Sequence, residues 1–181
     1  SLDAFVTRLK QNPGKITIGT PGTNNLNHIF AVMSGRVAGV DIVNVPYPGG
    51  AKVVTDLAAK QLDAAVLKPS ESKAQMDAGN VRPIAVFANE RLRALPDVPT
   101  FKERGLDVFP YGPLVQMAYI VAPANTPAPV RAKLIEIFRK AIQSDRFRSL
   151  AADGGAVVDD LTGDALAREI DAVQKSLAEV G

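Results

Sequence analysis

Residues 15–26 read Lys-Ile-Thr-Ile-Gly-Thr-Pro-Gly-Thr-Asn-Asn-Leu, and this stretch decides the fold class. Residues 15–19 are short and rich in β-branched side chains, which predicts a strand. The residues from Thr20 to Asn25 are turn formers and helix-capping residues. Apolar side chains then recur with helical spacing at Leu26, Ile29, Phe30 and Met33. The predicted order is therefore a strand, a polar glycine-containing turn and a helix.

The same order recurs along the chain. Residues 41–45 predict a strand, 46–50 a turn, and the next helix buries Val53, Val54 and Leu57. Residues 64–67 predict another strand, and Pro69-Ser70 begins a helix that runs through Met76 and that Gly79 ends. Residues 83–87 predict a further strand. Strands that alternate with helices imply an α/β fold with a mainly parallel sheet and right-handed crossovers.

Helices are predicted at both ends of the chain. Before the first strand, a helix capped by Ser1 buries Leu2, Phe5, Val6 and Leu9. After the strand predicted at 83–87, residues 91–113 are rich in proline and predict connections, a short helix at 100–104 and a strand-like piece near Val108. A clear strand is predicted at 115–122. Three helices then follow, the first beginning near Thr126-Pro127, the second at about 145–152 and the last carrying Leu166, Ile170, Val173 and Leu177.

The composition excludes several classes of function. The chain has 181 residues, is 46% hydrophobic and 22% charged, and carries a net charge of +2. These values predict a packed domain and argue against nucleic acid as a partner. The sequence contains no cysteine and one histidine, His28, so thiol nucleophiles, disulfides and cysteine-based zinc sites are excluded. No apolar run reaches the roughly 20 residues that cross a bilayer, and the amino terminus lacks the pattern of an export signal.

The turn from Thr20 to Asn25 is the first candidate site. In an open α/β sheet, ligands bind beyond the carboxyl ends of the strands, where helices begin. A helix start offers unsatisfied amide donors and a partial positive charge, and a glycine lets the backbone approach a ligand. A carboxylate is the natural guest. The open alternative is an ordinary helix cap, because clusters of Thr, Asn and Gly begin many helices that bind nothing.

Three further features carry the same two interpretations. Tyr47 begins a turn that closes the second strand, and its amides either face the same crevice or form a plain connection. Lys68 and Ser70 follow the third strand. They either contact the ligand, or Lys68 is a solvated charge and Ser70 caps the next helix. His28 lies one turn into a helix, where a lone histidine is more often a packed structural residue. No two carboxylates share a face beside a polar turn, so the residues do not support catalysis.

An ordered set of short motifs spans nearly the whole chain. It comprises Asn12-Pro13-Gly14, Lys15 to Gly22, His28, Val45 to Gly50, Asp56-Leu57, Leu62-Asp63, Ala78-Gly79, Arg82 to Val86, Leu95 to Thr100 and Ala122 to Pro127. In this order the motifs resemble the Bug-type receptors of tripartite tricarboxylate transporters. The resemblance implies a fold like that of type II periplasmic binding proteins, in which two α/β lobes close over a small organic acid.

The resemblance also implies a division of the chain and a set of ligand contacts. Residues 1–122 would form the second, ligand-gripping lobe, and residues 123–181 the mainly helical carboxyl-terminal part of the first lobe. No cofactor or metal is implied. The residues implied to hold the ligand are Thr20, Gly22, Thr23, Asn24 and Asn25, with Tyr47, Lys68 and Ser70 near the pocket.

The implied function is a periplasmic receptor that captures a small carboxylate and presents it to the membrane permease subunits of a transporter. The glycine-rich acid-binding turn with which family members begin their first lobe is not in this sequence. We therefore expect weak ligand binding by this chain, and self-association through the exposed tail. The alternative is a small cytoplasmic α/β enzyme or effector-sensing domain that uses the same turn.

Overall fold

The computed structural model describes residues 1–180. The chain divides into two compact units, Ser1–Pro110 and Tyr111–Gly181. The strands are β1 (Thr17–Thr20), β2 (Val43–Pro46) and β3 (Ala64–Ala65). The α-helices are α1 (Leu2–Gln11), α2 (Leu26–Arg36), α3 (Gly50–Ala58), α4 (Pro69–Asp77), α5 (Ala128–Ile142), α6 (Asp145–Asp153) and α7 (Gly163–Val180). A short 3₁₀ helix spans Lys102–Arg104. The predicted α/β class and the helical tail are confirmed.

The three strands form a parallel sheet in the order β2-β1-β3. Thr20 lies opposite Pro46, and Ile18 lies opposite Ala64. Because all three strands run the same way, their carboxyl ends meet at one edge of the sheet. The helices α2, α3 and α4 therefore begin along that same edge.

The two faces of β1 pack against different helices. Ile18 is buried in a cluster with Leu9 of α1 and Ala31 of α2. Its neighbour Gly19 points the other way, where a methyl group would lie 2.9 Å from Val53 Cγ1 of α3. The sheet thus has α2 on one face and α3 on the other, as right-handed crossovers in opposite directions require.

The glycine at position 35 allows the end of α2 to touch the following loop. A methyl group at Gly35 would lie 2.6 Å from the carbonyl oxygen of Val40 and 3.0 Å from Ile42 Cγ2. The contact with Val40 is to backbone, which cannot rotate away. Gly35 therefore lets the chain turn back closely toward β2.

Asp63 joins the entrances of β1 and β3. Its Oδ2 accepts hydrogen bonds from the backbone N–H and the hydroxyl of Thr17, both at 2.9 Å. Its other oxygen forms an ion pair with Arg8 of α1. Asp63 directly precedes β3. Burial raises the pKa of the Asp63 carboxyl, but the Thr17 hydrogen bonds and Arg8 lower it more, so the pKa lies below its ordinary value.

Three predicted strands do not form as predicted. Residues 83–87 make only one bridge, between Val86 and Thr100, and neither the piece near Val108 nor residues 115–122 are in a strand. Within residues 1–180 the segment 115–121 has no strand partner, and Val121 is 76% exposed. An apolar run predicts extended backbone, but a strand also needs a neighbour to hydrogen-bond with.

The unit Tyr111–Gly181 has few buried apolar side chains among its described residues. Its buried apolar residues are Leu114 and Val173, whereas Leu150 is 71% exposed and Val157 86% exposed. The helices α5 and α6 contain no buried residue. None of the helices described is both long and apolar enough to span a bilayer.

Candidate functional site

The candidate site is the edge of the sheet where the three strands end. The turn from Thr20 to Asn25 connects β1 to α2, Tyr47 follows β2, and Lys68 follows β3. Strand register places these three connections side by side, because Thr20 pairs with Pro46 and Gly19 with Ala65. The predicted site residues therefore lie along one edge, where α/β sheets bind ligands.

Thr20 is fully buried and anchors the turn. Its Oγ1 lies 2.9 Å from the carbonyl oxygen of Gly22 and 2.9 Å from Oδ1 of Asn44 on β2. Its carbonyl oxygen accepts the backbone N–H groups of Gly22 and Tyr47, each at 2.9 Å. Thr20 thus holds its own turn and the neighbouring turn after β2 in one arrangement.

Asn25 caps α2 and closes the turn. Its Oδ1 accepts the backbone N–H of His28 at 3.1 Å, and its Nδ2 donates to the carbonyl oxygen of Pro21 at 2.9 Å. Gly22 has φ 107, a conformation that favours glycine. The turn is therefore a preformed structure and not a loose loop.

Asn24 adopts a left-handed conformation with φ 54. Its backbone N–H donates to Nδ1 of His28 at 3.2 Å. Asparagine tolerates this region better than most residues. His28 therefore has the structural role that the sequence favoured, since it supports the turn. Thr23 and Asn24 expose their side chains to solvent.

The hydroxyl of Tyr47 points to α3 and not into the strand-end crevice. It donates to Oδ2 of Asp56 at 3.0 Å, and Oδ1 of Asp56 pairs with Lys52 at 2.5 Å. Burial and Asp56 raise the pKa of Tyr47, while the hydrogen bonds from Lys52 and Tyr47 lower the pKa of Asp56. Tyr47 therefore contributes its backbone, and not its hydroxyl, to the edge where the strands end.

Lys68 and Ser70 lie at the start of α4 and are exposed. The backbone N–H of Lys68 donates to Oε2 of Glu71 at 2.9 Å, and the N–H of Glu71 donates to the carbonyl oxygen of Lys68 at 3.0 Å. Within residues 1–180 no hydrogen bond joins Lys68 or Ser70 to the turn after β1. They share its edge without a hydrogen bond to it.

Sequence reasoning missed three polar residues at this edge. Asn44 meets the hydroxyl of Thr20, and Asn27 is buried with its Nδ2 donating to the carbonyl oxygen of Val66 at 3.0 Å. Glu71 packs against Gly50 at the start of α3. A polar residue between apolar neighbours, as in Val43-Asn44-Val45, is the signal that could have identified Asn44. Among the described residues no group of three or more acidic, His or Cys side chains could hold a metal ion.

Comparison with known proteins identifies the family of this chain. The family described as "Tripartite tricarboxylate transporter family receptor" matches residues 1–176. A UPF0065 protein from the TAR-I ttuE-ttuC' intergenic region of Agrobacterium vitis is 34% identical over 150 residues, which are 81% of this chain and 42% of that protein. The chain thus spans less than half the length of this curated relative.

Solved structures have the same fold. The periplasmic binding protein BugD is 25% identical, with a TM-score of 0.74 over 98% of this chain and 59% of BugD. The R. palustris protein Rpa4515, solved with adipate, is 23% identical, with a TM-score of 0.81 over 99% of this chain and 60% of that one. The motif order, the parallel sheet and these matches agree, and the chain belongs to the receptor family of the tripartite tricarboxylate transporters.

Proposed function

We propose that this chain forms part of a periplasmic solute receptor and binds one carboxylate group of a small organic acid at the turn between β1 and α2. The receptor would deliver this ligand to the membrane permease subunits of its transporter and catalyse no reaction. The observation that carries the proposal is the preformed turn from Thr20 to Asn25 at the start of α2.

The turn leaves donors free for an anion. The cap residue Asn25 accepts only the N–H of His28, and within residues 1–180 the N–H groups of Leu26 and Asn27 have no acceptor. Such first-turn amides carry the positive end of the helix dipole. An anion at this point would be held by backbone donors without a salt bridge.

His28 also argues against an enzyme at this turn. Its Nδ1 accepts the N–H of Asn24, so a neutral His28 carries its proton on Nε2. The lone pair of Nδ1 is then used within the turn, and among the described residues no hydroxyl hydrogen-bonds to His28 as a nucleophile would to its base. The family match is likewise to receptors.

The comparisons support the proposed ligand class and partners. The family description names a tricarboxylate transporter, and the related fold of Rpa4515 was solved with adipate. Because the chain covers 42% of its curated relative, the transport role of the whole receptor is a proposal. The proposal also includes Tyr47, Lys68 and Ser70 as edge residues, a boundary near residue 122 between two lobes, and self-association through the tail.

The test is a titration of the isotope-labelled chain with adipate, followed by amide chemical shifts. This measurement detects millimolar affinity, so it suits a chain with part of a site. We expect concentration-dependent shifts at the amides of residues 22–28, and none with 1,6-hexanediol, which has the same carbon skeleton without charge. Shifts spread evenly over the chain, or equal shifts with the diol, would contradict the proposal.

A matched pair of variants separates helix capping from anion binding. In N25D the new carboxylate caps α2 as Asn does but repels the ligand, so the adipate shifts should fall at least roughly fivefold. The control is S144D, because Ser144 Oγ likewise accepts a backbone N–H, that of Phe147, at the start of α6. S144D should bind as the wild type does. Undiminished adipate binding by N25D would rule out this turn as the anion site.

A further inference from the structure

We infer that Glu71 is a specificity-determining residue. Its carboxylate lowers the affinity of the site for ligands with a second carboxylate and raises the affinity for acids with a hydroxyl or ammonium group at the far end. The inference rests on the proposed function and deepens it. It depends on where Glu71 lies relative to the three helices that begin at the strand-end edge.

Glu71 reaches the starts of two helices. Its Oε2 accepts the backbone N–H of Lys68, the cap residue of α4, at 2.9 Å. Its side chain also packs on Gly50, the first residue of α3, where a methyl group would lie 2.5 Å from Oε1 and 2.6 Å from Cδ. Gly50 is buried, and its lack of a side chain makes room for the carboxylate.

The two helices lack other side-chain caps. Neither Gly49 before α3 nor the side chain of Lys68 before α4 makes a cap hydrogen bond. The start of a helix favours a negative charge. Glu71 therefore places a fixed negative charge from the protein at the very points of α3 and α4 that would otherwise attract an anionic ligand.

The three helix starts at this edge are thus unequal. At α2 the cap is the neutral Asn25, and the first amides remain open to a ligand. At α3 and α4 a carboxylate of the protein is already present. A ligand whose carboxylate lies at the start of α2 would have Glu71 at the starts of the two neighbouring helices, so a second carboxylate on that ligand would be repelled and a donor attracted.

The experiment compares three acids of equal chain length: adipate, 6-hydroxyhexanoate and 6-aminohexanoate. Titrations of the labelled wild-type chain should give an affinity for adipate below that for either of the other two. In E71Q the amide oxygen still accepts the Lys68 N–H, but the charge is gone. The affinity ratio of adipate to 6-aminohexanoate should then rise by roughly fivefold or more.

Two further measurements test whether the change in affinity ratio is specific to Glu71. D77N removes a carboxylate at the other end of α4, where Asp77 pairs with Lys73, and should leave the ratio unchanged. In the wild type, raising the salt concentration should narrow the gap between adipate and 6-hydroxyhexanoate, because salt screens the repulsion. This second readout needs no substitution and does not depend on the folding of E71Q.

The outcomes separate the two proposals. Binding of all three acids at residues 22–28 with a ratio that E71Q does not change overturns the role of Glu71 alone. If D77N changes the affinity ratio as much as E71Q does, the role of Glu71 is also overturned, because the effect is then one of net charge. Failure of every acid to shift those amides overturns the proposed function and the role of Glu71 with it.

Discussion

At the scale of single residues, the carboxylate of Asp63 makes several stabilising contacts at once. Asp63 receives two hydrogen bonds from Thr17 and an ion pair from Arg8, so it ties α1, β1 and the segment before β3 together. Hydrogen bonds to the charged form of an acid stabilise that form and lower its pKa. Its contribution to stability therefore depends on pH.

We expect D63N to destabilise the protein at pH 7 by about 1 kcal/mol, a value reduced because the ion pair is solvent-exposed. The folded-state pKa of Asp63 is lowered, so its stabilisation is present above the unfolded-state pKa and is lost as pH falls through the folded-state pKa. The stability difference between wild type and D63N, measured by urea unfolding, should therefore shrink as the pH falls below the ordinary aspartate pKa of about 3.9.

The control for this prediction is D77N, since the pair of Asp77 with Lys73 is exposed and lies within one helix. It should change the unfolding free energy by less than about 0.5 kcal/mol at any pH. A difference between D63N and wild type that does not change across the acid range would show that the charge of Asp63 contributes nothing.

Individual site residues were predictable from sequence where their role is local. Asn25 and Gly22 follow from turn and capping chemistry, because those interactions span only a few residues. Asn44 and Glu71 were missed because their partners, Thr20 and Gly50, are distant in sequence. Tyr47 was predicted at the right edge, but its hydroxyl has a partner in α3 that only the fold reveals.

At the scale of elements, α2 shows how a helix can require a poor helix former. Alanine is favoured over glycine by about 1 kcal/mol inside a helix. At Gly35, however, a methyl group would lie 2.6 Å from the fixed carbonyl oxygen of Val40. We expect G35A to lower the unfolding free energy by about 1–3 kcal/mol, as overpacking does.

Urea denaturation measures this effect, with G49A as the control. Gly49 has an extended backbone with φ 178, and a methyl group there would meet nothing within 4 Å. G49A should leave stability within about 0.5 kcal/mol of the wild type. If G35A proves as stable as the wild type, the close approach of α2 to the loop before β2 is wrong.

The helices were more predictable than the strands for a physical reason. The helical hydrogen bonds of α1, α2 and α7 lie within each helix, so a 3.6-residue apolar period and a cap locate them. The strands predicted at 15–19 and 41–45 form at 17–20 and 43–46, because these short apolar runs beside turn residues find parallel neighbours in the sheet. Residues 115–122 have an equally strong apolar pattern, but the described residues offer them no partner, and the predicted strand was wrong.

At the scale of the whole molecule, the two units differ in how many apolar side chains they bury. Most of the buried apolar residues belong to Ser1–Pro110, and Leu114 and Val173 are those of the other unit. Local opening costs least where few apolar contacts must break. The two units should therefore open with different free energies.

Hydrogen exchange followed by mass spectrometry or NMR should show this difference. We expect the amides of β1 to exchange slowest, because the strand is central and paired on both sides. The amides of 115–121, which donate no hydrogen bond to any described residue, should exchange within the first time point, before those of α5 and α6. Strong protection of 115–121 in this chain would mean that another surface pairs with them.

The sheet order has a consequence for how the chain acquires its structure. The central strand is the first to be synthesised, and its partners come later: Ile18 must wait for Asn44 on one side and Ala64 on the other. Parallel pairs over such separations pay a loop-closure cost before they gain contacts. On the ribosome, β1 therefore stays unpaired until β2 has emerged, and it gains its second neighbour only with Ala65. The turn after β1, whose partners Asn44 and Tyr47 belong to the β2 side, can form before β3 exists.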